Sequence, residues 1–274
     1  MKTRIITGTV LTAVLIPALI FSHTPVFVIL IALFAFAGEY EMLHCLGLEK
    51  NIAISLPAYI LAVGLPIGAR YITNGMFMQY AVVAIAISIL WMLAAYTFSK
   101  GRVSLEQAGG AATGGVYVAV AFAAIVLLRD IADTGKYVYM FIFIGAWITD
   151  IFAYFTGMLF GKHKLIPEIS PKKTIEGSIG GTIFCAVAFV VYGVVLDLIG
   201  ASVSLNYAVL IIGGLLAAIV SQVGDLMFSA IKRSRGIKDY GKIFPGHGGV
   251  LDRFDSALAV AVILLAIESC VDLL

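Results

Sequence analysis

Apolar residues occur along this chain in blocks of about twenty, not in the short alternations of a half-exposed strand or the one-sided stripe of a water-facing helix. The blocks fall near residues 5–22, 25–44, 52–69, 76–98, 108–128, 137–161, 177–196, 206–231 and 252–272, divided by Gly/Pro turns or by clusters of charge. A helix needs about 20 residues to cross the hydrocarbon of a bilayer. The pattern therefore predicts an all-α, polytopic integral membrane protein with about nine transmembrane helices. The first block follows Lys2 and Arg4 and has the outline of a signal peptide, but no small-residue cleavage site follows Phe21. It is expected to be a retained first helix.

Composition sharpens this picture. The 274 residues are 61% hydrophobic and only 12% charged, against roughly 45–50% and 25% in soluble domains, and the mean hydropathy is +1.05. Disorder, collagen-like repeats and an outer-membrane barrel are excluded, and no room is left for a sizeable soluble domain. A net charge of +2 gives no reason to expect a nucleic-acid partner. Cys45, Cys185 and Cys270 share no metal-ligand spacing with one another or with the four histidines and read as packing residues.

The positions of the basic residues give the orientation. With the N-terminus inside, 15 of the 18 Lys and Arg fall in cytoplasmic segments and only Arg70, Arg129 and Lys136 fall outside. Short cytoplasmic loops hold such an excess, so the N-terminus is expected to be cytoplasmic and the C-terminus outside. The chemistry is uneven too: residues 1–128 hold four acids, of which only Glu39 and Glu41 fall within a span. The chain is expected to divide into N-terminal transmembrane helices over 1–130, with a packing, dimer or lipid-facing role, and a C-terminal transmembrane region over 131–274 that carries the chemistry, with cytoplasmic loops 162–176 and 232–251. The glycines Gly109, Gly110, Gly114 and Gly115 read as small-residue helix packing, not as a phosphate loop.

Acids inside the later spans carry the functional signal, because a carboxylate in hydrocarbon is costly and needs a partner. Asp150, Tyr154, Gly157 and Gly161 recur at helical spacing and place a polar pair and two small residues on one face. Gln222, Asp225, Ser229 and Lys232 do the same on the eighth helix. At 1.5 Å per residue Asp225 lies about 27 Å and Asp150 about 20 Å below the outer ends of their helices. Asp252 and Asp255 open the ninth helix from that same inner side. Asp255 serves either as a helix cap or ion-pair partner, or in the site. Carboxylates gathered at one depth repel unless a cation sits between them, and hard oxygen donors without His or Cys favour Mg²⁺.

The cytoplasmic loops supply the opposite sign. One reads Ser170-Pro171-Lys172-Lys173-Thr174-Ile175-Glu176, and the other runs from Lys232 and Arg233 through Lys238 and Asp239 to Gly246-His247-Gly248-Gly249. Acids beside basic, glycine-rich loops point to a metal-bound polyphosphate, with backbone N–H groups of the glycine turn approaching phosphates. Lys162 and Lys164 are assigned to the positive-inside bias. His247 reads equally as a general base or as a turn-stabilising side chain.

The run from Ser229 to Asp255 resembles the signature of the phosphatidate cytidylyltransferases, the CDP-diacylglycerol synthases. Ser170 to Gly177, Gln222 to Asp225 and Asp150 to Tyr154 resemble further blocks of that family, so the likeness covers roughly residues 147–256. It implies a multi-pass, dimeric enzyme of the cell (inner) membrane, working on the cytoplasmic side, that joins CTP to phosphatidic acid and releases pyrophosphate. Mg²⁺ is implied, with K⁺ as a candidate second ion. By matching positions, Asp225 and Asp252 become metal ligands, with Asp150 as a third or an orienting carboxylate. Lys173, Lys232 and Arg233 hold phosphates, and Glu176, Lys238 and Asp239 shape the nucleotide pocket. The remaining substrate contacts implied are Ser170, Lys172, Thr174, Gln222, Ser229, Gly246, His247, Gly248, Gly249, Arg253 and Asp255. An ion-coupled transporter would need interrupted helices in both halves, and an aspartyl protease dyad of Asp150 and Asp225 would not need the basic loops. An enzyme acting on another lipid phosphate, such as an archaeal ether lipid, is the nearest alternative.

Overall fold

The computed structural model describes residues 8–9, 13, 15–72, 75–201 and 203–274. Of the expected first helix, 5–22, residues 5–7, 10–12 and 14 lie outside the described residues, while 8–9, 13 and 15–20 are helical. Among the described residues, seven helical segments are long and apolar enough to cross a membrane, and the protein is an all-α, multi-pass membrane protein as predicted. The chain forms two compact units, one made of residues up to Leu127 with Ser234–Arg253, the other of Leu128–Arg233 with Phe254–Leu274.

The first unit contains α1 (Pro25–Leu46), α2 (Ile52–Tyr71), α3 (Phe77–Phe98) and most of α4 (Leu105–Arg129). Proline opens α1, where its missing N–H costs nothing, and Gly47 ends it in the left-handed conformation at φ 72°. The glycine run of α4 packs on α1: a methyl at Gly110, Gly114 or Gly115 would press on Leu46, Met42 or Glu39. That is close helix packing through small residues. Inside α2, Pro57 cannot donate to Ala53. The carbonyl of Ala53 instead accepts from Trp91 Nε1 at 2.9 Å, which ties α3 to α2.

The second unit contains a short turn of helix, α5 (Gly135–Val138), then α6 (Met140–Phe160), a hairpin of β1 (Lys164–Ile166) and β2 (Ser170–Thr174), α7 (Ile175–Leu198) and α8 (Tyr207–Ser234). Helix α9 (Leu251–Glu268) begins in the first unit and continues in the second. Glycines set the helix contacts here also. A methyl at Gly181 would stand 2.7 Å from the Thr149 carbonyl, one at Gly177 2.6 Å from that of Ala153, and one at Gly157 2.7 Å from Thr174 Oγ1. Helices α6 and α7 thus approach backbone to backbone, and the Gly157/Gly161 face meets protein. The hairpin is a difference from the sequence expectation, which treated 162–176 as a loop. Its strands pair antiparallel with Lys164 opposite Thr174 and Ile166 opposite Ser170.

Candidate active site

The hairpin presents its lysines on opposite faces, because side chains alternate along a strand. Lys172 is exposed, whereas Lys173 turns inward and its Nζ lies 2.5 Å from Asp225 Oδ2. The contact is an ion pair in distance but lacks the geometry of a hydrogen bond. The base of the hairpin is pinned to α7. Thr174 Oγ1 accepts from Gly177 N–H at 3.1 Å as the helix cap, while Glu176 accepts from His163 N–H and pairs with His163 Nδ1 at 2.7 Å. Thr174 and Glu176 therefore aim Lys173 by holding the strand that carries it. His163 completes this clasp and is a residue sequence reasoning missed, since nothing in the sequence shows that its ring meets an acid thirteen positions on.

On α8, Asp225 is half-buried, and Ser229 Oγ donates to its Oδ1 at 3.3 Å, one helical turn away. Gln222 points differently: its Nε2 donates to Thr182 Oγ1 at 3.1 Å and to Ala218 O at 3.2 Å. It locks α8 against α7. The next residue that matters is Gly224, where a methyl would stand 2.6 Å from Ala259 Cβ and 2.9 Å from the Asp255 carbonyl. This close crossing of α8 and α9 brings Asp255 beside Asp225. Helix α9 starts at Leu251, so Asp255 lies inside it and is not its cap.

Asp150, exposed on α6, completes the group. Its carboxylate lies in electrostatic range of Asp225 and Lys173, and Asp255 in range of Asp225, Asp150 and the buried Lys232. Three acids and two lysines thus share one neighbourhood in the second unit, with Arg233 exposed at the end of α8. Among the described residues no three His, Cys, Asp or Glu side chains stand close enough to form a ready-made metal site. The donor set still fits a hard divalent cation: carboxylate oxygens outnumber the ammonium groups, and no thiolate or imidazole lies among them.

The other predicted residues belong to the first unit. Lys238, Asp239 and Arg253 are exposed. Gly246 and Gly248 take φ of 80° and 88°, a backbone that side chains rarely adopt, which bends the loop so that Phe244 N–H reaches Gly248 O at 2.9 Å. His247 keeps a buried Nδ1 with no hydrogen-bond partner. Asp252 Oδ2 accepts from Tyr240 N–H at 2.8 Å and from Gly249 N–H at 2.9 Å, so the carboxylate expected to ligate a metal also organises the loop. Of the glycine-turn N–H groups expected to approach phosphate, that of Gly249 is already engaged by Asp252, and the next two along the chain, of Val250 and Leu251, donate to Glu41.

A family model described as the cytidylyltransferase family matches residues 2–271. The chain belongs to the cytidylyltransferase family. Among its curated relatives, the phosphatidate cytidylyltransferase of Staphylococcus haemolyticus is 34% identical over 267 residues, covering 96% of this chain and 97% of that protein. The one from Bacillus subtilis is 31% identical over 266 residues, with 95% and 94% covered, and the one from Staphylococcus aureus is 34% identical over 265 residues, with 96% and 97% covered. The likeness takes in the N-terminal helices as well as the acid and lysine cluster, so the first unit is as much a part of a cytidylyltransferase as the second.

Proposed function

We propose that this protein transfers the CMP moiety of CTP to phosphatidic acid, giving CDP-diacylglycerol and pyrophosphate for phospholipid biosynthesis. The observation that carries this reading is the match, over almost the whole length of both partners, to phosphatidate cytidylyltransferases. The cluster of Asp150, Asp225, Asp255, Lys173 and Lys232 supports it, because it combines the two charges such a reaction needs.

In the reaction a phosphate oxygen of the lipid forms a bond to the α-phosphorus of CTP while the bond from that phosphorus to the β-phosphate bridging oxygen breaks. The lipid phosphate is already an anion, so orientation and charge neutralisation matter more than a general base. Lys173, Lys232 and Arg233 hold phosphates, with Lys173 aimed by the hairpin and its Thr174 and Glu176 clasp. Lys238 and Asp239, with Glu176, shape the nucleotide pocket. Asp225 and Asp252, with Asp150 as a third carboxylate, are the ligands proposed for Mg²⁺, and Asp255 joins them as a neighbour of Asp225. When bound, that cation supplies screening of the negative charge that builds on the leaving pyrophosphate. K⁺ is the proposed second ion. The site opens to the cytoplasmic leaflet of the cell membrane, and a homodimer is the proposed assembly.

The test uses purified protein in detergent with phosphatidic acid, Mg²⁺ and each of the four ribonucleoside triphosphates, following pyrophosphate and lipid-linked nucleotide together. CTP-selective formation of both products is expected, and Asp225→Asn should abolish it in a protein that still inserts and melts normally. Product only with an ether-lipid phosphate would reassign the lipid substrate. Failure with every lipid and triphosphate would overturn the reading.

A further inference from the structure

Glu41 sits toward the C-terminal end of the apolar helix α1, is only 1% exposed, and has both carboxylate oxygens engaged. Val250 N–H donates to Oε1 and Leu251 N–H to Oε2, each at 2.9 Å. These are N–H groups at the start of α9, where no intrahelical acceptor exists. The carboxylate therefore caps, from a helix some 210 positions earlier, the helix that carries Asp252 and Asp255. Two glycines of the loop make room for it: a methyl at Gly241 or Gly249 would run into the Glu41 carboxylate. Neither has a left-handed backbone, so glycine is needed there for space alone.

Asp252 works from the other side of the same segment through Tyr240 N–H and Gly249 N–H. Four backbone donors between residues 240 and 251 are thus held by two carboxylates. We infer that Glu41 is a positioning residue for the cytidylyl-transfer reaction: it sets the conformation of the segment 240–251, so that Lys238, Asp239, His247 and Arg253 meet the nucleotide in one fixed arrangement. This rests on the reading that the loop handles substrate. It follows that phosphate recognition by this loop runs through side chains and the N–H groups of Gly246 and Gly248, because those of Gly249, Val250 and Leu251 are occupied.

The experiment compares the full-length wild type with Glu41→Gln and Glu41→Ala in detergent, by hydrogen exchange resolved to the 240–251 segment and by CTP kinetics. Glutamine keeps one acceptor oxygen and turns an NH₂ group toward the second N–H; alanine keeps neither contact. Exchange in 240–251 should quicken at least 10-fold in Glu41→Ala while α7 and α8 exchange as in wild type. The efficiency kcat/KM for CTP should fall about 100-fold, the usual effect of misplacing a substrate-holding group by about 1 Å, with Glu41→Gln between the two. Unchanged exchange in 240–251 would overturn the role of Glu41. Faster exchange with unaltered CTP kinetics would overturn the link from loop to substrate. A wild type that does not use CTP would instead defeat the functional reading, while the exchange result would still decide whether Glu41 holds the loop. If Glu41→Ala yields no folded protein, Gly241→Ala tests the same contact from the loop side and should give the same pair of changes.

Discussion

Replacing Lys173 by Met keeps the length of the side chain and removes its charge, which changes the neighbourhood of Asp150, Asp225 and Asp255 from two compensating lysines to one. The cost is set by the burial of the pair it breaks. Lys173 and Asp225 side chains are 23% and 28% exposed, between the exposed pairs that contribute about 0.2–1 kcal/mol and the buried ones whose disruption costs about 3–5 kcal/mol. A loss of about 2 kcal/mol follows. For a chain of this size each kcal/mol moves Tm by roughly 2–4 °C, so Lys173→Met should melt about 4–8 °C below wild type in detergent with EDTA. Mg²⁺ should then restore more of the mutant's Tm than it adds to the wild type, because a cation binding the carboxylates replaces the lost ammonium and stabilises by mass action. Lys162→Met, on an exposed residue, should melt with the wild type in both buffers. An identical deficit for Lys173→Met with and without Mg²⁺, or no deficit at all, would refute the view that opposite charge holds these three acids together.

Two further outcomes follow from local geometry. Asp252→Asn should leave exchange in the 240–251 segment near that of wild type, because both N–H bonds fall on Oδ2 and one amide oxygen can accept them. It should nevertheless raise the Mg²⁺ needed for half-maximal turnover at least 10-fold, and an unchanged requirement would remove Asp252 from the ligand set. Gly181→Val should lower Tm by several degrees in detergent melting, since its side chain meets the Thr149 carbonyl and overpacking costs about 1–3 kcal/mol. A wild-type Tm would mean that α6 and α7 do not pack as closely as described.

What could be read from the sequence follows from how local each cause is. The spans from Pro25 to Ser234 were legible because hydrocarbon thickness imposes a length on every apolar run, and α1 to α4 end within a few residues of the expected places. Asp150, Asp225 and Lys232 were legible because a charge in an apolar helix needs a reason that its own neighbours cannot supply. The hairpin was not. Lys164–Ile166 and Ser170–Thr174 are short, polar and interrupted by Pro171, and they become strands through the clasp of Thr174 and Glu176 on α7. Gln222 shares a stripe with Asp225, and the spacing alone does not show that its amide donates to Thr182 on α7. That Asp255 is not a cap needed the start of α9, because cap and interior differ by one turn.

Glu41 shows why the acids of a membrane protein cannot all be read as chemistry. A carboxylate among apolar helices is tolerable when it accepts donors that would otherwise be left unpaired, and the first N–H groups of α9 are such donors. Asp252 and Glu41 meet that condition through backbone bonds, whereas Asp225 is balanced by an ammonium group that a substrate phosphate can compete for. The distinction is one of partner. Backbone N–H groups cannot leave, so acids bound to them fix a shape; a lysine side chain can swing, so an acid paired with it can exchange that partner for a cation or release it to a phosphate. On that basis Glu41 belongs with the N-terminal helices as scaffold, Asp252 ties the loop through one oxygen while remaining a proposed ligand, and the exchangeable charge lies around Asp225.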